Sequence, residues 1–266
     1  MFSFFILYYI KMDKKLTPVF GRVGSKRSLK NKISRLFPKD YDRYVEPFIG
    51  GGAVFLNTPL VGHTSAINDK DRELIKYWKM LKRGVGGNKE YYNSGNLQQL
   101  QSWYNSTPKT DIGRLTKFIL KTSNTFGSKG WGKLYKESNP YAKLKKIDDF
   151  KDKLKNTTIT SGDYKAVMRR YNNSKTFFYL DPPYSVAGKS KGDNASSSVY
   201  KESEFNVEGL VSFLKTIKGK WLLSLEDSAK VRRLFKGNKI RGLTTGGTGN
   251  LNVGAKKRKE VLISNY

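Results

Sequence analysis

Cysteine is absent from the 266 residues, and histidine occurs once, at His63. Without cysteine there is no disulfide, no thiolate nucleophile and no thiolate-held zinc. With one histidine, a metal centre would need carboxylate ligands, and a serine–histidine–aspartate triad would have to use His63. Acidic residues are scarce too: 22 Asp and Glu against 51 Lys and Arg leave a net charge of +29. A field of that sign attracts polyanions and raises their encounter rate. DNA, RNA and anionic membrane are the candidate partners, and a merely soluble, Lys-rich surface is the plainer alternative. An enzyme handling small molecules has little use for such a charge. Long apolar runs are also missing. Met1–Ile10 (MFSFFILYYI) is shorter than the roughly 20 residues that span a bilayer, and it lacks the basic start and cleavage site of a secretory signal. Met12 then opens MDKKLTP, so residues 1–15 are expected to be a leader outside the fold. No other stretch is a candidate for crossing a membrane, and the lack of cysteine fits a reducing, intracellular compartment.

What is present is aromatic. Apolar residues make up only 37% of the chain, but 15 Phe, 16 Tyr and 4 Trp argue against a disordered polymer. After the glycine-rich basic stretch GRVGSKRSLK, Leu29, Ile33 and Leu36 recur at helical spacing, predicting a helix near Ser28–Leu36 that Pro38 ends. Tyr44–Phe48 (YVEPF) reads as a buried strand. Gly50, Gly51 and Gly52 follow, then a helix start over Ala53–Asn57. Ser65–Asn68 is the next strand, with Asp69 at its end, and Asp71 is placed to cap a long helix (LIKYWKMLKRG).

Strand, glycine turn, helix, strand and acid in that order open a nucleotide-binding α/β sheet. From about Gly84 to Thr158 strand alternation disappears. Leu115–Leu120 looks helical, and Thr125–Leu134 (TFGSKGWGKL) looks like a glycine-punctuated loop or hairpin. The sheet resumes at Thr158–Thr160, Thr176–Leu180 (TFFYL) and Trp221–Leu225, with a helix over Phe205–Ile217 and a final strand from near Glu260 through Leu262–Ser264. The expectation is a catalytic domain of residues 16–83 and 159–266, interrupted by an inserted subdomain of residues 84–158.

Two constellations carry chemistry. The glycine turn after Glu46, Pro47 and Phe48 lets backbone approach a ligand closely, although an ordinary tight turn has the same composition. No Gly-Lys-Ser/Thr follows, so a phosphate-cradling loop is disfavoured. Asp69, about 20 residues on, occupies the position that commonly holds ribose hydroxyls in such sheets. The second constellation, Asp181-Pro182-Pro183-Tyr184, is sharper. Consecutive prolines force an extended path and remove two amide donors. Asp181 and a proline carbonyl can then grip both protons of an exocyclic amine while Tyr184 stacks on a planar base. A strand ended by an Asp-Pro-Pro turn is the bland alternative.

These residues carry a resemblance. YVEPFIGGGAVFLN and FYLDPPY resemble the cofactor and catalytic motifs of the Dam-type (D12 class) DNA adenine methyltransferases. Phe20–Leu29 is similar to that family's N-terminal motif through Gly24 and Lys26. AINDKD resembles the acidic end of its second strand, Ser161–Tyr164 its Gly-Asp-aromatic motif, and KEVLISNY its last strand. Glu46-Pro47 stands where the family most often has Asp-Pro, and Val-Gly-Ser-Lys replaces Ala-Gly-Gly-Lys.

The resemblance implies a Rossmann-like class I sheet with helices on both faces and a small, mostly helical recognition insert. It implies S-adenosylmethionine as cofactor, held by Gly24, Lys26, Glu46, Pro47, Phe48, Gly50, Gly51, Gly52, Asn68, Asp69, Asp163, Tyr164 and Asp181. It implies catalysis by Asp181, Pro182, Pro183 and Tyr184 on an adenine flipped from double-stranded DNA, with no metal and no membrane. Arg114, Lys117, Lys121, Asn124, Phe126, Lys129, Trp131 and Lys133 would meet DNA, or form a solvated basic face. Lys256, Lys257 and Arg258 would contact phosphate, or serve as a localisation signal or plain loop. Methylation of cytosine's amine or of RNA, and a catalytically inactive basic DNA-binding protein, are the competing readings.

Overall fold

The computed structural model describes residues 16–22, 24–60, 62–86, 97–125, 134, 143–183, 205–244 and 259–266. Seven strands form one mixed sheet in the order β3-β2-β1-β4-β5-β7-β6. They are β1 Arg43–Glu46, β2 Thr64–Asp69, β3 Thr157–Ser161, β4 Thr176–Leu180, β5 Lys220–Glu226, β6 Lys239–Thr244 and β7 Lys259–Ser264. β7 runs antiparallel to both its neighbours, β5 and β6. β1 pairs in parallel with β2 on one side and β4 on the other, so the strand order reverses there.

β4 is buried along its whole length because both faces of the sheet are covered. Successive side chains of a strand point to opposite faces. Phe177 and Tyr179 pack with Tyr44, Ile67 and Leu262 on one face, while Phe178 and Leu180 pack with Val45, Leu223 and Ile263 on the other. The first face is covered by α1 (Lys30–Ser34), α2 (Arg72–Lys82), α4 (Asp111–Asn124) and α5 (Ile147–Leu154), the second by α6 (Tyr164–Arg170), α7 (Val207–Leu214) and α8 (Ala229–Leu234). The remaining described α-helix, α3 (Leu97–Asn105), closes against α4 around Leu100, Leu120 and Leu134.

Asp71 caps α2 as its position suggests, accepting from the Leu74 amide at 2.9 Å. Several expected elements differ in extent. β1 stops at Glu46, since Pro47 has no amide to extend the ladder. The helix expected from Ala53 is only a 3-10 turn, Phe55–Asn57; Thr58 goes extended because it precedes Pro59, whose ring disfavours helical geometry in the residue before it. The helix over 28–36 keeps only Lys30–Ser34. Thr125 and Leu134 form an antiparallel bridge, as a hairpin requires. His63 lies in the β1–β2 connection, half-buried and stacked on Tyr41 at 4.5 Å. β6, α3, α5, α6 and α8 had no counterpart element in the sequence reading.

Candidate active site

Reversal of strand order at β1/β4 opens a crevice at the carboxyl ends of the strands, where ligands of open α/β sheets bind. Alternation decides which side chains enter it. Tyr44, Tyr179, Leu222 and Leu262 point to one face. The same parity puts Glu46, Asp181, Ser224 and Glu260 at the end of that face. Polar groups there need partners, because a buried charge without one is costly.

Lys26 supplies the partner. Its side chain is almost fully enclosed, and Nζ lies 2.8 Å from Asp181 Oδ1 and 3.7 Å from Glu260 Oε2. Nζ also donates to the Gly24 carbonyl at 3.1 Å. Asp181 follows β4 directly, with Pro182 buried and Pro183 exposed behind it. Glu46 is buried and accepts from the Tyr44 hydroxyl at 2.7 Å. Burial raises its pKa well above the ordinary carboxylate value; the Tyr44 hydrogen bond opposes this and the Asp181 charge adds to it. Glu260 is raised in the same direction, again by burial, with Lys26 opposing.

The glycine turn is built around Asp69 and Trp78. Asp69 Oδ2 accepts from the Gly50 amide at 2.9 Å and Oδ1 from the Asp71 amide at 3.0 Å. Burial raises its pKa against these two hydrogen bonds. Trp78 Nε1 donates to the Gly50 carbonyl at 3.1 Å. Gly52 has φ +71°, and a Cβ there would stand 2.6 Å from the Trp78 ring. Asn68 is a brace: Nδ2 donates to the carbonyls of Pro47 and Gly162, and Oδ1 accepts from Thr160. Arg22 pairs with Asp71 at 2.5 Å, tying the N-terminal motif to the start of α2.

Asp163 caps α6 through the Lys165 amide at 2.8 Å and is exposed. Beside it, Tyr164, Phe48 and Phe205 form a half-buried aromatic trio with centroids 5.0–5.8 Å apart. Burial pushes the Tyr164 hydroxyl up to about 12, so it stays neutral. Among the described residues, no atom beyond the chain neighbours comes within 4 Å of where a Cβ would stand on Gly24, Gly50 or Gly162. The crevice therefore joins open backbone, a buried acid and an aromatic corner. A long, partly charged, partly aromatic molecule matches that set.

On α4, Arg114 bridges to Asp111 at 3.1 Å, Lys117 donates to the Ser106 carbonyl at 2.5 Å, and Lys121 pairs with Glu73 at 2.9 Å. Asn124 is the last residue of α4. Tyr184, Phe126, Lys129, Trp131, Lys133, Lys256, Lys257 and Arg258 lie outside the described residues. Sequence reasoning passed over Tyr44, Glu260 and Phe205. Glu260 left a signal: an acid opening an otherwise apolar strand. Among the described residues no helix is long and apolar enough to cross a membrane, and no cluster of His, Asp or Glu could hold a metal.

The sheet order with a reversed β7, and the glycine turn after an acid at the end of β1, define a class I methyltransferase. The family of D12 class N6 adenine-specific DNA methyltransferases matches over residues 23–110 and 112–245, and the chain belongs to it. It is similar to the type II methyltransferase M1.LlaDCHI of Lactococcus lactis subsp. cremoris, at 25% identity over 94% of this chain and 96% of that one. The DNA adenine methylase of Vibrio cholerae is 23% identical over the same shares. The DNA N-6-adenine-methyltransferase of Escherichia phage P1 is 25% identical over 84% of this chain, which spans only 31% of the phage protein's length. The reaction class is adenine methylation in DNA, and it requires a methyl donor.

Proposed function

We propose that this chain transfers the methyl group of S-adenosylmethionine to N6 of an adenine turned out of a DNA duplex. The observation that carries the reading is Asp181 at the end of β4, held by the buried Lys26 ammonium at 2.8 Å beside the strand-order reversal. When bound, S-adenosylmethionine supplies a methyl already activated on a positively charged sulfur.

Glu46 and Gly50–Gly52 frame the methionine half of that cofactor, with Pro47 and Asn68 holding the turn's shape. Asp69 keeps further lone pairs for ribose hydroxyls after meeting its two amides. Asp163, Phe48 and Tyr164 receive the cofactor's adenine. Taking the target base out of the stack costs a few kcal/mol. Asp181 accepts a hydrogen bond from one N–H of the amine and a proline carbonyl from the other, so the nitrogen faces the methyl. As the N–C bond forms the S–C bond would break, its electron pair staying on a now neutral sulfur, and the methylated nitrogen would then release one proton to water. The carboxylate also stabilises the positive charge that builds on nitrogen. Tyr184 stacks on the base. Alignment of nitrogen, carbon and sulfur supplies much of the acceleration.

Arg114, Lys117, Lys121, Lys129, Lys133, Lys256, Lys257 and Arg258 contact phosphates, which fix register without reading sequence. Asn124 reads a base edge, and Phe126 or Trp131 fills the gap left by the extruded base. The +29 charge serves that encounter.

Tritiated-methyl transfer to unmethylated duplex DNA, with nucleoside analysis, tests the reading. Label in N6-methyladenine is expected. Label in N4-methylcytosine or in RNA would overturn the substrate. No label, with no thermal stabilisation by S-adenosylmethionine, would overturn the activity.

A further inference from the structure

We propose that Glu260 is a positioning residue: it holds the Lys26 ammonium against Asp181 and so fixes the carboxylate that meets the target amine. The proposal rests on the reading of Asp181 given above. Three described charged side chains are buried, namely Lys26, Glu46 and Glu260. Lys26 and Glu260 are within 3.7 Å of each other, and Asp181 is 2.8 Å from the same ammonium. Glu46 is satisfied separately, by Tyr44.

The geometry explains why a lysine needs a second acid. Its ammonium is a compact point charge on a flexible four-carbon stem, with three donors to satisfy. Two of its contacts, the Gly24 carbonyl and Asp181 Oδ1, lie at 3.1 Å and 2.8 Å. Glu260 approaches from β7 and adds a second carboxylate to the same ammonium, 3.7 Å from Nζ, which narrows the positions the flexible stem can take. Glu260 is itself fixed. Its strand is registered to β5, with Glu260 opposite Glu226 and Leu262 opposite Ser224. Ser224 Oγ stands 3.5 Å from Glu260 Oε2. The reversed last strand therefore has a task in the site: its first residues bring a second carboxylate to Lys26 beside Asp181.

The test is a mutant cycle on the full chain: Glu260→Gln, Glu260→Asp, Lys26→Met and Lys26→Met/Glu260→Gln, with Asp181→Ala as control. Glu260→Gln keeps the shape and removes the charge. It is expected to lower kcat by about 10- to 100-fold while KM for DNA and for S-adenosylmethionine moves less than about twofold. Glu260→Asp, which keeps the charge, is expected to regain part of that kcat. In the Lys26→Met background Glu260→Gln is expected to cost nothing further, since its effect passes through the lysine.

Unchanged kcat in Glu260→Gln overturns the proposal. So does a loss that persists undiminished without Lys26, or an equal loss in the Asp and Gln variants, which would make the residue a structural part of β7. If wild-type enzyme transfers no methyl, or Asp181→Ala turns over normally, the assignment of Asp181 fails instead.

Discussion

Lys26 and Asp181 lie far apart in the chain and meet at 2.8 Å, and the lysine is the more enclosed partner, its side chain 2% exposed against 20%. Removing one member of an enclosed pair strands the other charge, at roughly 3–5 kcal/mol for a fully buried pair. The partial exposure of Asp181 lowers that figure. Lys26→Met should therefore destabilise the fold by about 2–3 kcal/mol in urea titration. Lys220 with Asp40 is the contrast: it is as short, at 2.6 Å, but Asp40 is 68% exposed. Lys220→Met should cost far less than Lys26→Met, because solvent screens that pair. Equal losses in the two variants would contradict the burial argument.

Asp181→Ala should cut methyl transfer by about 10²–10³-fold, the usual cost of deleting a group aimed at developing charge. Cofactor affinity should fall much less. Single-turnover kinetics on duplex DNA separates the two effects. Near-normal turnover in a folded variant would remove Asp181 from the chemistry.

Two neighbouring glycines should respond differently. Gly52 has φ +71° and its absent Cβ would overlap the fully buried Trp78 ring. Gly52→Ala combines backbone strain with a clash and should cost about 2–4 kcal/mol of stability. Gly50 has φ +46° and, among the described residues, nothing within 4 Å of where its Cβ would stand. Gly50→Ala should cost only about 1 kcal/mol of stability, but its methyl projects into the proposed cofactor cradle. S-adenosylmethionine affinity, measured by calorimetry, should therefore drop in Gly50→Ala. A fully retained affinity would place the cofactor elsewhere.

Glu46 gives a pH signature. Its pKa is raised well above the ordinary 4.5 by burial. The folded chain thus keeps a proton that the unfolded chain releases above that value. Stability from this group is complete below the unfolded value and declines as pH rises toward the folded one. Asp69 and Glu260 are raised too and act with the same sign. Glu46→Gln removes one contributor, so its stability relative to wild type should increase between about pH 5 and about pH 8. Denaturant titrations at the two pH values check it; a relative stability that stays flat with pH would show that Glu46 is already ionised in the fold.

Lys117 and Lys121 should appear in the salt dependence of DNA binding. Each lysine that no longer meets a phosphate lowers the slope of log K against log salt by about 0.9. Lys117→Gln/Lys121→Gln should flatten the slope without changing which base is methylated. An unchanged slope would assign these lysines to Ser106 and Glu73 alone.

Much of this was legible in the sequence because it is local. β4 is a run of five mostly large apolar residues, and its bounds agree with the sequence reading. Asp71 lies one residue before α2 and caps it. The glycine turn and Asp181-Pro182-Pro183 carry their geometry in their own backbone. β6 was not legible: Lys239–Thr244 mixes charged, apolar and glycine residues, and it becomes a strand by pairing with β7. α6 is too short for a helical period and starts directly at its Asp163 cap. The helix expected from Ala53 gave way to Pro59, just beyond its expected end.

The sequence by itself determined which chemistry this chain holds, since an acid, a glycine turn and a rigid proline pair act through neighbouring residues. It also narrowed the candidate partners toward polyanions, through an excess of positive charge that no folding step alters. Only the tertiary structure decided that Lys26, Asp181 and Glu260 share one ammonium, and that Asn68 braces three strand ends. Those contacts join residues far apart in the chain. They exist because strand order reverses at β1 and β7 runs backwards, bringing four strand ends and the N-terminal motif to one edge of the sheet.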